Sequence, residues 1–463
     1  MLVFEPIYTD GLAQISYLVG DSEAAVAAVI DPRRDIDIYL QMAKAQGLRI
    51  AYAIETHIHA DFVSGAQALA NCTGAQIIGG RSDAYQFDLR QVNDGETLEL
   101  GQVRLQVMHS PGHTPEHVSL QLFDTQQGSE PIALFTGDTL FNLDVGRPDL
   151  LGEGSERKLA GKLFHSLFDS YLSLGDRIEV YPCHGAGSAC GKSIGDRRQS
   201  TLGSERLFNP ALREERSEEA FIDWLLADMP EPPRHYARLK KLNVCPATQM
   251  EGPSLPPPLS PQDFQELAGN ADMQVVDIRS ILAFGGGHVP GAINIALRNE
   301  FVNWAGWMLD DSRPILLVGE SADDVHQAIT QLYRIGLDDI RGYLRNGMTD
   351  WQNAALPLNR LQEWTVHELN ARREESDVQV LDVRSPNEVA SGRVPGAKHI
   401  FVAHLADQLD ELDPDKTTVT YCGSGYRASI AASILKRAGF SDVANTLGSW
   451  AAWNAADLPV QTS

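Results

Sequence analysis

No stretch of the 463-residue sequence stays apolar for the roughly 20 residues that a membrane helix needs. Basic charge is scarce: 38 Lys and Arg stand against 62 Asp and Glu, a formal net charge of -24. That balance implies no basic surface, so neither nucleic acid nor an anionic membrane is expected as a partner. Cysteine is sparse as well. Cys72, Cys183, Cys190, Cys245 and Cys422 are scattered and odd in number. They point to free thiols in a reducing compartment rather than a disulfide framework. Met1 to Asp10 lacks the basic and long apolar segments of a secretory leader. A cytoplasmic location is therefore expected. What remains is ordinary globular composition, 43% hydrophobic and 22% charged. The length suggests about three domains.

The most informative stretch is His57-Ile58-His59-Ala60-Asp61-Phe62. It follows an apolar run, Ile50 to Ile54, that reads as a buried strand, and precedes Val63 to Cys72, which has helical spacing. Ligand-type side chains on a strand-to-helix loop can be aimed by rigid elements. Imidazole and carboxylate together suit Zn, Fe or Mn. Three later stretches add candidates: Ser110-Pro111-Gly112-His113-Thr114, Thr136-Gly137-Asp138-Thr139 and Tyr181-Pro182-Cys183-His184-Gly185. Each sets a His or Asp at the end of an apolar run. Around them, strands are expected at Leu2 to Ile7, Ile15 to Val19, Ala25 to Ile30, Gln76 to Ile78, Thr97 to Leu100, Val103 to His109, Val118 to Leu122 and Ile132 to Thr136. Helical spacing marks Asp35 to Gln46, Ser155 to Ser170 and Glu214 to Leu226. This mixture predicts two sheets with helices outside.

The order of these motifs resembles the metallo-β-lactamase fold, an αββα sandwich with metals at one sheet edge. The family loop reads His-x-His-x-Asp-His, and Phe62 stands at its last position. Phenylalanine cannot ligate, so the resemblance implies a single-metal member. Within the fold the sequence looks most like the persulfide dioxygenases, which are similar to glyoxalase II but bind one Fe(II). Carried onto this sequence, that resemblance implies His57, His113 and Asp138 as ligands. Such a two-His, one-carboxylate set leaves coordination positions open. His59, Asp61 and His184 are then expected behind the ligands, orienting them. Arg147, in Gly146-Arg147-Pro148-Asp149, resembles an arginine that holds the thiol substrate; an ion-paired arginine is the alternative. Cys183 reads as a buried inert thiol and Cys190 as a candidate sulfur relay. His109, His117 and His165 read as structural.

A Pro-rich stretch, Met250 to Pro261, reads as an extended linker. A repeat follows. Val275-Val276-Asp277-Ile278-Arg279-Ser280 returns 105 positions later as Val380-Leu381-Asp382-Val383-Arg384-Ser385. Val289-Pro290-Gly291-Ala292 returns as Val394-Pro395-Gly396-Ala397. Strand-helix alternation in both copies predicts parallel α/β sheets. The copies resemble rhodanese domains in their Asp-x-Arg strand end, their Val-Pro-Gly-Ala turn and their Trp-containing tail. In the second copy Cys422-Gly423-Ser424-Gly425-Tyr426-Arg427 places a thiol between a strand and a helix N-terminus. Backbone N–H groups and the helix dipole favour a thiolate or a bound anion there. Cys422 is expected as the nucleophile and Arg427 as its catalytic companion. In the first copy Gly319 falls where Cys422 stands, beside acidic Glu320, Asp323 and Asp324, so that copy is expected to be silent.

The expected architecture is α/β throughout: residues 1–245 as the metallo-β-lactamase domain, 246–261 as linker, and 262–360 and 361–463 as two rhodanese-like domains. The combination resembles persulfide dioxygenase–rhodanese fusions of sulfide detoxification. It implies one Fe(II) per chain, a low-molecular-weight persulfide of glutathione, coenzyme A or a similar thiol, O₂, and sulfite or thiosulfate as reactants. The silent copy offers a surface on which a homo-oligomer would form. The competing reading is a zinc thioester hydrolase of the glyoxalase II type with sulfur-relay domains. A vestigial metal site on a sulfur carrier is a third.

Overall fold

The computed structural model describes residues 1–152, 154–212, 216–248 and 252–462. They divide into two compact units, Met1–Pro253 with Tyr333–Gly336, and Ser254–Leu332 with Leu337–Ser463.

The first unit holds two six-stranded sheets. One contains β1 (Leu2–Thr9), β2 (Gln14–Asp21), β3 (Val26–Ile30), β4 (Arg49–Ile54), β5 (Gln76–Gly79) and β6 (Arg90–Gln91), side by side in chain order. The other contains β7 (Thr97–Leu100), β8 (Val103–His109), β9 (Val118–Asp124), β10 (Ala133–Gly137), β13 (Glu179–Pro182) and β14 (Ser200–Thr201). A ribbon of β11 (Leu140–Phe141) and β12 (Asp144–Val145) lies between β10 and β13 in the chain. Alternation explains the layering, because β8 buries every second side chain, Val103, Leu105 and Val107. These meet Tyr17, Val19, Ile30, Ile54, Phe135 and Tyr181 in the core between the sheets. Strand residues on the other face of the first sheet, such as Leu18, Val29 and Ala53, pack on helices 37–45 and 66–73. Leu134 and Val180 pack likewise on helices 156–165 and 218–226. The unit is an αββα sandwich. Helical spacing over Ser155 to Ser170 overstates the α-helix, which ends at His165 and passes into a wider turn at Ser166–Ser170. The helix expected from Glu214 starts at Glu218, where the Ser217 side chain accepts the Ala220 N–H; Glu214 itself lies outside the described residues.

The second unit contains both repeats, each a five-stranded parallel sheet. The first has β15 (Pro258–Leu259), β16 (Gln274–Asp277), β17 (Ile293–Asn294), β18 (Ile315–Val318) and β19 (Ile340–Leu344), in the order β15-β19-β18-β16-β17. The second has β20 (Gln362–Trp364), β21 (Val378–Asp382), β22 (Lys398–His399), β23 (Thr417–Tyr421) and β24 (Val443–Thr446), in the matching order β20-β24-β23-β21-β22. The expected linker reaches too far, since Pro258 and Leu259 form an edge strand on β19. An edge tolerates Pro258, which has no N–H for a second neighbour. Pro261 then opens helix 261–268 behind a Ser260 cap.

The two copies pack against each other through one helix. Helix 426–437 of the second copy buries nine of its 12 residues. A helix buried nearly all round must pack on several sides. Its Ser429 hydroxyl donates to Asn294 Oδ1 (2.6 Å), its Ser433 hydroxyl accepts the Asn294 N–H (3.2 Å), and its Tyr426 hydroxyl donates to the Ala296 carbonyl (2.7 Å). Asn294 Nδ2 also donates to the Asp277 and Arg279 carbonyls. Asn294→Ala would strand these buried groups and is expected to cost about 3 kcal/mol. Denaturant titration of the full chain reads that loss. The copy without a thiol therefore braces the helix that begins beside Cys422.

Candidate metal and sulfur sites

Four strand ends meet at one edge of the sandwich. His57 follows β4, His113 lies between β8 and β9, Asp138 follows β10 and His184 follows β13. His57 Nε2 is 3.7 Å and His113 Nε2 3.5 Å from Asp138 Oδ2, and all three residues are buried. The three donor atoms lie within 4.8 Å of one another. Such separations suit a cation held at about 2.0–2.2 Å from each donor. His57 Nε2 and both Asp138 oxygens have no hydrogen-bond partner among the described residues. Buried polar atoms without partners are rare, and a cation would satisfy all of these. The donor set therefore fits a metal.

The surroundings fix the donors. The Thr56 hydroxyl donates to Asp31 Oδ2 (3.0 Å), so it accepts from His57 Nδ1 (2.9 Å) and leaves Nε2 as a lone pair. His113 Nδ1 donates to the Arg147 carbonyl (2.8 Å), with the same effect. Burial holds both imidazoles below their ordinary range, His113 at about 3, so they are neutral donors. Burial also pushes the Asp138 carboxyl up to about 6. His59 faces away from these three. Burial opposes its charge, but Asp31 and Glu55, each 3.1 Å from Nε2, hold it protonated. Asp61 Oδ2 lies 3.3 Å from His184 Nε2, which is 3.6 Å from Asp138 Oδ1.

Two expectations need correction. Arg147 is 1 % exposed, and its guanidinium donates to both oxygens of Asp149 and to the Ala189 and Pro230 carbonyls. It is the ion-paired arginine, tying these loops together. Cys190, expected as a relay, is 1 % exposed, and burial pushes its thiol well up, as it does that of Cys183. A thiol that resists deprotonation is a poor nucleophile.

Other residues that position the centre carry no local signature. His117 Nε2 accepts the Asp138 N–H (3.0 Å), while its Nδ1 faces the Ser110 and Thr139 hydroxyls. Asn243 donates to the His59 and Phe62 carbonyls and accepts the Ser64 N–H, clamping the motif loop. His109 and His165 sit at the surface. Gly146 is required by contact, since a Cβ there would stand 1.8 Å from the Asp138 carbonyl oxygen. Gly146→Ala must displace the aspartate and is expected to weaken metal binding about 10–100-fold. Metal competition with a chelator measures this.

In the second unit, Cys422 follows β23 and Gly425 opens helix 426–437 at φ +106, a left-handed conformation open to glycine. The Gly425 N–H donates to Cys422 Sγ (3.1 Å). Arg427 donates twice to Glu388 (2.6 Å each). Burial opposes the charge of Glu388, yet Arg427 holds its carboxyl down at about 2. Asp382, with β21, is paired to Arg384, and Asp277 is paired to Arg279 in the first copy, with both ion pairs at 2.6 Å. Gly319 follows β18 as Cys422 follows β23, but helix 322–334 begins one residue sooner, so the loop is shorter. A Cβ at Gly319 would meet Val325 at 2.9 Å. That copy has neither the thiol nor the room for one.

The metallo-beta-lactamase superfamily model matches residues 9–184, and the rhodanese-like domain model matches residues 260–354 and 365–456. A mitochondrial persulfide dioxygenase of Homo sapiens is 33% identical over 216 residues, 45% of this chain and 74% of that protein. A hydroxyacylglutathione hydrolase of Rhodospirillum rubrum is 35% identical over 153 residues, 33% of this chain and 54% of that protein. A crystal structure described as a metallo-beta-lactamase from Staphylococcus aureus covers 74% of this chain and 99% of its own, at 37% identity and a TM-score of 0.67. No described helix is long and apolar enough to cross a membrane. By fold, by the convergence of His57, His113 and Asp138, and by this similarity, the chain belongs to the persulfide dioxygenase family of the metallo-β-lactamase superfamily and carries two rhodanese-like domains.

Proposed function

We propose that the chain oxidises a low-molecular-weight persulfide with O₂ and exchanges sulfane sulfur at Cys422. The net first reaction is R-S-SH + O₂ + H₂O giving sulfite, R-SH and two protons. The observation that carries it is the buried triad of His57, His113 and Asp138, whose donor atoms lie within 4.8 Å of one another, with His57 Nε2 and both Asp138 oxygens lacking a hydrogen-bond partner among the described residues. A ferrous ion held there would supply redox chemistry and open positions for sulfur and dioxygen. The chain's own part is to keep His57 and His113 neutral by burial and, through Thr56 and the Arg147 carbonyl, to turn Nε2 of each towards the site. Burial of the triad excludes bulk water, which protects a reactive sulfur from side reactions.

At the second site the Cys422 thiolate attacks the terminal sulfur of a persulfide, and the carrier leaves as R-S⁻. The resulting Cys-S-SH passes that sulfur to sulfite, forming thiosulfate and restoring the thiol. The Gly425 N–H steadies charge on Sγ, and Arg427, locked by Glu388, adds positive potential beside it. Anaerobic purification followed by metal analysis tests the reading. About one iron per chain with O₂ uptake on adding glutathione persulfide supports it. Zinc with thioester cleavage and no O₂ uptake would favour the hydrolase.

A further inference from the structure

The repeat supplies an internal control, because one copy has the thiol and the other does not. A feature found in both copies serves the fold, and one found only beside Cys422 points to its chemistry. The ion pair of Asp382 and Arg384 recurs as Asp277 and Arg279, so it belongs to the fold. The pair of Glu388 and Arg427 does not recur. Ser280 and Ser385 each stand at the N-cap of a short helix, and the third residue in is Ala283 in one copy and Glu388 in the other. Counting back from Arg334 and Arg437, Asp324 stands where Arg427 stands. The copy without a thiol therefore lacks both the carboxylate and the guanidinium. In the second copy the Ser385 N–H and hydroxyl donate to Glu388 Oε2 (3.0 and 2.8 Å), and the Arg427 fork donates one N–H to each Glu388 oxygen. The pair lies against the cysteine loop. A Cβ at Gly423 would stand 3.3 Å from Arg427 Nη2 and 3.8 Å from Glu388 Oε1, and the guanidinium also acts on the Cys422 sulfur. Arg427 is 18% and Glu388 39% exposed, so an arriving sulfur donor meets both charges.

A guanidinium fork suits an oxyanion, because two parallel N–H bonds match two oxygens. Here the fork is already filled. The Glu388 carboxyl is held down at about 2, so it stays ionised across the neutral range. A doubly charged sulfur oxyanion finds its anchor occupied and a fixed negative charge beside it. The repulsion grows in proportion to the charge of the donor. We propose that Glu388 is a specificity-determining residue of the Cys422 site, disfavouring dianionic sulfur donors such as thiosulfate. A persulfide, which carries no oxyanion beside the transferred sulfur, is then the better donor. Thiosulfate formed at the site is not retained there. The inference rests on the reading of Cys422 as the nucleophile of sulfur transfer.

Sulfur transfer to saturating cyanide by the full chain tests it with two donors, doubly charged thiosulfate and singly charged methanethiosulfonate. With either donor the Cys422 thiolate attacks the outer sulfur, the S–S bond breaks, and sulfite or methanesulfinate leaves with the electron pair. Cyanide then takes the sulfur as thiocyanate and restores the thiolate. Glu388→Gln removes the charge but keeps the cap, since glutamine serves in the same box. It should lower KM about 5-fold for thiosulfate and about 2-fold for methanethiosulfonate, with kcat within about 2-fold. Glu388→Ala frees the whole fork and should lower the thiosulfate KM at least as far. Added salt should shrink the difference between the parent and Glu388→Gln by screening the repulsion. Melting curves establish that each variant folds. A Glu388 that only held Arg427 in place would give the reverse, a fall in kcat for Glu388→Ala. That result, an unchanged thiosulfate KM, an equal fall for both donors or a difference indifferent to salt would overturn the proposal and leave Cys422 as the nucleophile. Transfer that survives Cys422→Ser would overturn the nucleophile reading and this inference with it.

Discussion

Asp138→Ala is expected to lower persulfide-dependent O₂ uptake by about 10³-fold or more, because the variant loses a donor that both imidazoles face. Metal content should fall with it. Stability should not. In the metal-free protein both Asp138 oxygens are buried without partners among the described residues, so removing the carboxyl relieves a desolvation cost. The metal-free variant is expected to melt no lower than the metal-free parent, an instance of a site kept at the expense of stability. Sulfur transfer from thiosulfate to a small nucleophile such as cyanide should persist within about two-fold, since Cys422 belongs to the other compact unit and sites that share no partners are usually independent. Loss of both activities together would contradict two separable chemistries.

Cys422→Ser should have the opposite profile. An alkoxide is far harder to form than a thiolate, and loss of the nucleophile is expected to cost at least about 10³-fold in sulfur transfer. The fold should survive, because a serine oxygen can accept the Gly425 N–H that Sγ now accepts. O₂ uptake with glutathione persulfide should stay within about two-fold, while thiosulfate disappears from the products and sulfite accumulates. Sulfur transfer retained in the variant would mean that another thiol carries it. The first copy is no candidate, since Gly319 has no side chain and a shorter loop.

Much of this was legible in the residues. The ligand-type side chains stand directly after apolar runs, and strands deliver their following loops to a sheet edge, where sites form. The 105-residue repeat announced two parallel α/β copies, and the Cys422 loop carried its own glycines. Arg147 was not legible. Motif spacing put it near the aspartate, but its partners Ala189 and Pro230 lie 42 and 83 residues away along the chain. His117 looked structural and does hold structure, yet what it holds is the backbone of Asp138. Pro258 looked like linker because proline disfavours sheet interiors, and an edge strand escapes that rule.

Residue type and period by themselves determined which side chains could bind a metal or a sulfur, where each copy begins to repeat, and that the chain is α/β. Those are local properties, set by side-chain chemistry and by backbone periodicity. Tertiary structure alone decided that the two oxygens of Asp138 face different neighbours, that Cys190 joins Asp61 and His184, and that Asn294 of the first copy grips a helix of the second. Those facts depend on where loops far apart in the chain come to rest, and that is fixed by packing.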